Sequence, residues 1–261
     1  MRIGITGSNS SIGRSLSIAL RSAGHEVIEF SRSEDIGSPS YFQLQSEGLP
    51  FGMRDIKILI HLAWDRTRTA SRSESINIRG SSQLISELST RGVRVIFLST
   101  VSADSNSKSD YSREKFEVEQ VVLKHQGTVI RAGVVTDQNS SGIFGIINQL
   151  GNLPLICPHL IPDPPLRLTR LDSLIDCCVD AVKDGLVAEV LTVADTRYTS
   201  LSELVHSIRF RNATLHVPVP LIVLRSACRR FSKFSRRIGR ISAALETVND
   251  ILSAQGRDSN Y

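Results

Sequence analysis

Residues 1–24 constrain the chain more than any other stretch. Residues 3–6 form a short apolar run, and Thr6-Gly7-Ser8-Asn9-Ser10-Ser11-Ile12-Gly13 makes a glycine-bearing turn. Ile12, Leu16, Ala19, Leu20 and Ala23 then recur at helical spacing as far as Gly24. A buried strand, a tight turn and an amphipathic helix in that order begin a strand–helix–strand unit, and a second strand, residues 27–30, follows at once. Units of this kind wind into a sheet of parallel strands covered by helices. The helix-terminal amides and the helix dipole at such a turn bind a pyrophosphate. Gly7 permits the turn, and Gly13 lets the helix pack closely on the sheet. Where a middle glycine is expected stands Ser10, which either narrows the room for phosphate or donates a hydrogen bond to it.

The same alternation continues. Residues 41–44 read as a short third strand and residues 56–62, apolar apart from Lys57 and His61, as a fourth. Residues 76–88 read as a helix, 93–98 as a fifth strand, 110–125 as a helix and 128–131 as a sixth strand. After Asp137 the texture changes: residues 139–151 are rich in Gly, Ser and Asn, and the five prolines of residues 154–165 predict a loop. Residues 171–182 are helical, 190–193 a final strand, and a short helix beyond Thr199 leads into a basic tail. The expectation is an α/β chain, a Rossmann-like doubly wound parallel sheet with a small C-terminal substrate lobe. Residues 1–136, with 166–195 returning to them, make the dinucleotide-binding domain; residues 137–165 and 196–261 make the lobe.

The chemistry sits in Tyr111-Ser112-Arg113-Glu114-Lys115, which follows Ser99-Thr100 at the end of an apolar run. A tyrosine and a lysine four apart share one helical face, where the ammonium lowers the pKa of the phenol. A glycine turn, a hydroxyl pair after a buried strand and this helix, in that order, describe a device for moving a hydride and a proton at a carbinol carbon. Cofactor choice is read at the end of the second strand. There an acid would bond the ribose 2′-hydroxyl of NAD, and an arginine would accommodate the 2′-phosphate of NADP. Ser31-Arg32 follow Phe30, so Arg32, with Arg14 in support, favours NADP; Glu34 and Asp35 lie further along and keep NAD open.

On these segments the sequence resembles the extended short-chain dehydrogenase/reductase family, of the NAD-dependent epimerase/dehydratase type. His61-Leu62-Ala63-Trp64 is similar to its His-Leu-Ala-Ala strand ending, and Asn77-Ile78-Arg79-Gly80-Ser81 to its Asn-x-x-Gly-Thr. Residues 97–103 resemble the strand that delivers the catalytic Ser or Thr. Arg131-Ala132-Gly133-Val134-Val135 resembles Arg-Pro-x-x-Val, and Arg170-Leu171-Asp172-Ser173-Leu174 the later His-Val-x-Asp-Leu. The departures are Ser10 for glycine, Ala132 for proline, Ala103-Asp104 for Tyr-Gly, and a short lobe. Val101-Ser102 stands after Thr100 where dehydratases carry Asp-Glu, which argues against dehydration.

The resemblance implies Thr100, Tyr111 and Lys115 as the catalytic trio. Tyr111 exchanges the proton, Lys115 also holds the cofactor ribose, and Thr100 orients the reacting oxygen, with Ser99 in reserve. Gly7, Ser10, Ser11, Ile12, Gly13, Arg32, Leu62, Ala63 and Lys115 are expected to bind the cofactor, and Trp64, Ser99 and Thr100 the substrate. Asn77 is expected to steady the backbone near Lys115, and His61 to be a satisfied buried histidine on the cofactor floor. The expected activity is that of an NADP- or NAD-dependent oxidoreductase, a nucleotide-sugar keto reductase. A 4-epimerase with tightly bound NAD and a non-catalytic NAD(P)-sensing protein are the alternatives. A homodimer is implied by analogy only.

Charge and composition supply the rest. Net charge is +5, concentrated in Arg225, Arg229, Arg230, Lys233, Arg236, Arg237 and Arg240, with no acid from residue 221 to 243. Apolar residues recur at helical spacing between these cations. The segment reads as a helix docked on the lobe, as a peripheral contact with an anionic membrane beside lipid-linked sugar or polysaccharide biosynthesis, or as a holder of a nucleotide-sugar pyrophosphate. Without a stacking platform, nucleic-acid binding is not expected. Arg66, Arg68 and Arg72 in the loop after Asp65 suit a substrate phosphate or a solvated loop. Cys157, Cys177, Cys178 and Cys228 lack metal-ligand spacing, so no metal is expected. No apolar run approaches the roughly 20 residues of a membrane span, the N-terminus leaves no room for a signal peptide, and a cytoplasmic enzyme is expected.

Overall fold

The computed structural model describes residues 1–45, 48–65, 75–107, 109–136, 156–161, 163, 165–183, 185, 188–207 and 215–220. Alternation along the strands decides how its two helical layers form. Strand β1 (Arg2–Thr6) lies between β2 (Glu26–Phe30) and β3 (Ile58–His61). The sheet continues through β4 (Arg94–Thr100) and β5 (Thr128–Ala132) to β9 (Val190–Val193), in the order β2-β1-β3-β4-β5-β9. Every pairing is parallel.

Ile3, Ile5, Ile58, Ile60, Ile96 and Ile130 meet α1 (Ser11–Ser22) and α4 (Leu171–Lys183) through Leu16, Leu20, Leu174, Cys178 and Ala181. The intervening residues Leu59, Val95, Phe97 and Val129 meet α2 (Ile76–Ser89) and α3 (Asp110–Lys124) through Leu84, Ile85, Leu88, Val118 and Val122. Both sheet faces are therefore buried, which is why these strands are apolar at successive positions rather than alternating with polar residues. Each fully buried Leu, Ile or Phe contributes about 2 kcal/mol by leaving water. The chain is a doubly wound, Rossmann-like α/β fold. Among the described residues, no helix is long and apolar enough to cross a membrane.

The remaining strands form smaller pieces. β8 (Pro165–Arg170) pairs parallel with β6 (Val134–Thr136) and antiparallel with β10 (Tyr198–Ser200), which leads into α5 (Leu201–Ser207). β7 (Ile156–Ile161) pairs parallel with β11 (Leu215–Pro220). Much of residues 154–165 is therefore strand where the prolines predicted loop. A two-stranded ladder leaves each strand an unpaired edge, where a missing proline N–H does no damage.

The expected third strand is also absent: Tyr41 makes a single bridge to Ser31, and residues 42–45 continue as a wall of the cleft described below. Residues 139–151 and the basic tail 221–243, with Cys228, lie outside the described residues.

Ion pairs secure the sheet at both ends. At the amino edge Arg2 bridges Glu26 and Asp55 at 3.0 and 3.1 Å. Arg94 donates to the Ala181 and Val182 carbonyls, both at 3.0 Å, closing the last turn of α4. Further along, fully buried Glu119 of α3 accepts two bonds from Arg131 of β5, at 2.9 and 2.6 Å. The first of several effects, this hydrogen bonding raises the Arg131 pKa above its ordinary range. Glu119→Gln removes the charge while keeping the shape, and a fall of about 2 kcal/mol in unfolding free energy is expected, measured by urea denaturation.

Candidate active site

Strands β1, β3 and β4 run parallel and end at one edge of the sheet, which holds a cleft of about 630 Å³. Of the expected cofactor residues, Gly7, Ser10, Arg32, Leu62 and Ala63 line it, joined by Trp64. The turn fits a closely approaching ligand because its glycines have no room for side chains. Gly7 has φ 71°, and a Cβ there would stand 3.0 Å from the Ala63 nitrogen. A Cβ on Gly13 would come within 2.7 Å of the Gly7 carbonyl oxygen. Ser10 caps α1: its Oγ accepts the Gly13 N–H at 3.0 Å and donates to the Gly7 carbonyl at 2.8 Å. Its hydroxyl is thus engaged inside the turn, with Ser11 and Ile12 opening the helix beside it.

At the end of β2, Asn9 Nδ2 donates to both Ser31 Oγ and Ser33 Oγ at 3.0 Å. Arg14 donates to the Asn9 carbonyl at 2.9 Å. Arg32, two-thirds exposed, faces the Asp65 carboxylate across 3.7 Å. Two arginines and two serines therefore surround the position where NAD-binding chains of this fold place an acid.

His61 is the last residue of β3 and precedes the cleft-lining Leu62. It is fully buried, bonds Thr6 Oγ1 through Nδ1 at 2.7 Å and Ser81 Oγ through Nε2 at 3.0 Å, and stacks on Phe97. Burial, assisted by the Lys115 charge, pushes its pKa down to about 3. It is neutral, and both ring nitrogens are occupied.

Lys115 is 5% exposed and donates to the Leu98 carbonyl at 2.8 Å. Its Nζ lies 4.5 Å from the Phe97 ring centre and 3.9 Å from that of Trp64. A buried ammonium is costly unless compensated; here a carbonyl and two aromatic faces compensate it. Trp64 in turn meets Tyr111 edge to face, with centroids 5.9 Å apart, and Lys115 Nζ is 6.0 Å from the Tyr111 ring centre. Tyr111 and Lys115 thus share one face of α3.

Thr100, at the end of β4, joins this group through a buried chain of hydroxyls. Ser112 Oγ, beside Tyr111, donates to Ser102 Oγ at 3.1 Å, and Ser102 Oγ lies 3.1 Å from Thr100 Oγ1. Ser99 Oγ is buried with no hydrogen-bond partner among the described residues. Asn77 holds the backbone of Asp65 from both sides, accepting its N–H at 2.7 Å and donating to its carbonyl at 2.9 Å, and also donates to Glu114.

The sequence reading did not single out Asn9, Ser31, Ser33, Ser102 or Ser112. Their only signal was position, since each follows a strand end at the ligand edge or faces one from the helix start. Of the arginine loop, Asp65 is placed, whereas Arg66, Arg68 and Arg72 lie outside the described residues. Among the described residues, no cluster of three or more His, Cys, Asp or Glu side chains could hold a metal ion.

Comparison with known proteins gives the fold a context. The UDP-N-acetylglucosamine 4-epimerase of Bacillus cereus superposes with a TM-score of 0.67 and 15% identity over 84% of this chain and 85% of that one. The UDP-glucose 4-epimerase of Thermus thermophilus, in complex with NAD, gives 0.63 and 16% over 84% and 86%. The UDP-glucose 4-epimerase of Thermotoga maritima, with UDP-glucose, gives 0.61 and 18% over the same shares. The chain shares the fold of these epimerases. No family model matches the chain. The uncharacterized protein Rv2047c of Mycobacterium tuberculosis is 29% identical over 107 residues, 38% of this chain. The match spans only 12% of that protein's length.

The buried His61 makes stability depend on pH. On unfolding, His61 regains its ordinary pKa near 6.5, so between about pH 6.5 and about pH 3 the unfolded chain binds the extra proton. Its contribution is complete above that window and is lost as pH falls through it. The urea midpoint of the wild type should therefore drop on acidification below pH ~6.5, and His61→Gln should show a shallower drop.

Proposed function

We propose that the chain is an NADP-dependent oxidoreductase that reduces a nucleotide-bound keto sugar. What supports this reading is that Tyr111 and Lys115 share a face of α3 against Trp64, which lines the glycine-turned cleft, while Thr100 is linked to α3 through Ser102 and Ser112. Ligands of open α/β sheets bind at that edge. When bound, the nicotinamide supplies the ring that gives or takes the hydride.

Tyr111 delivers its phenolic proton to the substrate oxygen in reduction and takes it back in oxidation. Lys115 would hold the cofactor ribose, and its charge attracts the phenolate left when the proton departs. Ser112 donates into Ser102, whose hydroxyl lies 3.1 Å from Thr100 Oγ1; with Ser102 as the donor of that pair, the Thr100 proton would be available to the substrate oxygen. Gly7, Gly13, Ser11 and Ile12 would cradle the pyrophosphate at the start of α1. Arg32, with Arg14, Ser31 and Ser33 nearby, suits a 2′-phosphate and favours NADP over NAD. Residues 137–165 and 196–261 are assigned to the substrate side.

Two other readings have an observation behind them. The epimerases of B. cereus, T. maritima and T. thermophilus share the fold, which supports a 4-epimerase that retains NAD. Trp64 covering Lys115 supports a dinucleotide-sensing protein without turnover.

Steady-state assay of nucleotide 4-keto sugars with NADPH separates the three. Tyr111→Phe should lower turnover about a thousandfold and leave NADPH binding, read by calorimetry, unchanged. The proposal fails if no keto sugar is reduced, or if the variant is as active as the wild type. Tightly held NAD released by denaturing the purified protein would favour the epimerase instead. Arg32→Ala should weaken NADPH binding about tenfold while NADH binding changes little; equal losses for both would rule out a role at the 2′-phosphate.

A further inference from the structure

Two adjacent residues after β3 already contact two of the cations assigned to dinucleotide binding. Asp65 sets a carboxylate oxygen 3.7 Å from the Arg32 guanidinium across the cleft. Trp64 lays its ring 3.9 Å from the Lys115 ammonium. Neither side chain is there by accident of a loose loop. Asn77 grips the Asp65 backbone through both its N–H and its carbonyl. Trp64 is braced against Tyr111 and Phe97, with ring centres 5.9 and 6.3 Å away.

We propose that Trp64 and Asp65 act as a resident competitor of the dinucleotide, holding its two cationic contacts until it displaces them. The inference rests on the reading above, in which Arg32 meets the 2′-phosphate and Lys115 the ribose. The displacement needs only side-chain movement. The Asn77 clamp holds Asp65 by its backbone, so the carboxylate can turn away without loosening the strand end. The Trp64 indole can leave the ammonium while Lys115 keeps its bond to the Leu98 carbonyl. A ligand that must displace such contacts binds more weakly by their worth. The two residues also divide the task. Asp65 opposes a phosphate on Arg32, so it discriminates between the two dinucleotides; Trp64 opposes the ribose that both dinucleotides share.

Trp64 is the sole tryptophan of the chain, so its emission reports its own displacement. Titration of the wild type with NADPH should change the emission wavelength or yield in step with binding measured by calorimetry. Asp65→Asn should tighten NADPH about threefold and leave NADH unchanged. Trp64→Ala should tighten both dinucleotides about tenfold. Trp64→Phe, which keeps the packing with a weaker cation–π contact, should fall between and serves if the alanine variant does not fold. Binding that leaves the emission unmoved, with wild-type affinities in all three variants, overturns the competitor while the oxidoreductase reading stands. Binding of neither dinucleotide to the wild type or to any variant overturns both. Binding confined to the variants supports the competitor in its strongest form.

Discussion

The arrangement of the site follows from how one buried ammonium is stabilised. Lys115 is removed from water on the third helix, and its charge is satisfied by the Leu98 carbonyl at 2.8 Å and by the faces of Phe97 and Trp64. Each partner comes from a different place: the carbonyl and Phe97 from β4, Trp64 from the turn after β3. Meeting them fixes the rotation of α3 over the sheet, and that rotation carries Tyr111 and Ser112 toward the end of β4, where Thr100 stands. The same charge helps keep His61 below it unprotonated. Two cations stacked in one apolar layer would repel each other, and the histidine is the one that yields, because its proton is the cheaper to lose.

Polar groups around this ammonium are arranged in connected sets rather than singly. Thr6, His61 and Ser81 form one chain beneath the cleft, and Ser112, Ser102 and Thr100 form another beside it. Buried hydroxyls of this kind are tolerable because each has a partner. Ser99, on the neighbouring position of the same strand, has none among the described residues. The contrast bears on which of the two hydroxyls at the end of β4 is coupled to the tyrosine helix, and it points to Thr100.

Much of this was legible in the sequence where periodicity carried it. Ile58 and Ile60 against Leu59 announce a strand buried on both faces, and Leu16 with Leu20 announces the helix that covers one of them. The spacing of Tyr111 and Lys115 already put them on one face. What escaped was set by partners remote in sequence. Residues 41–44 have strand-like composition, yet among the described residues they pair only through a single bridge, from Tyr41 to Ser31. The prolines of residues 154–165 hid a strand that, among the described residues, pairs with β11 alone, more than fifty positions away. Asp65 read as part of an arginine-rich loop, and nothing local shows that Asn77 holds it or that it faces Arg32.

The serine that stands in the first turn in place of a glycine has a consequence of its own. Because Ser10 Oγ ties the Gly7 carbonyl to the Gly13 amide, the loop is stapled shut by its own atoms. A turn already rigid before its guest arrives loses little freedom when the guest settles, so less of the association energy is consumed by ordering. It also cannot adapt: a guest whose phosphates sit slightly out of register meets a fixed mould. Under the proposed cofactor reading, selectivity at that end would be a matter of shape, leaving charge to choose at the other.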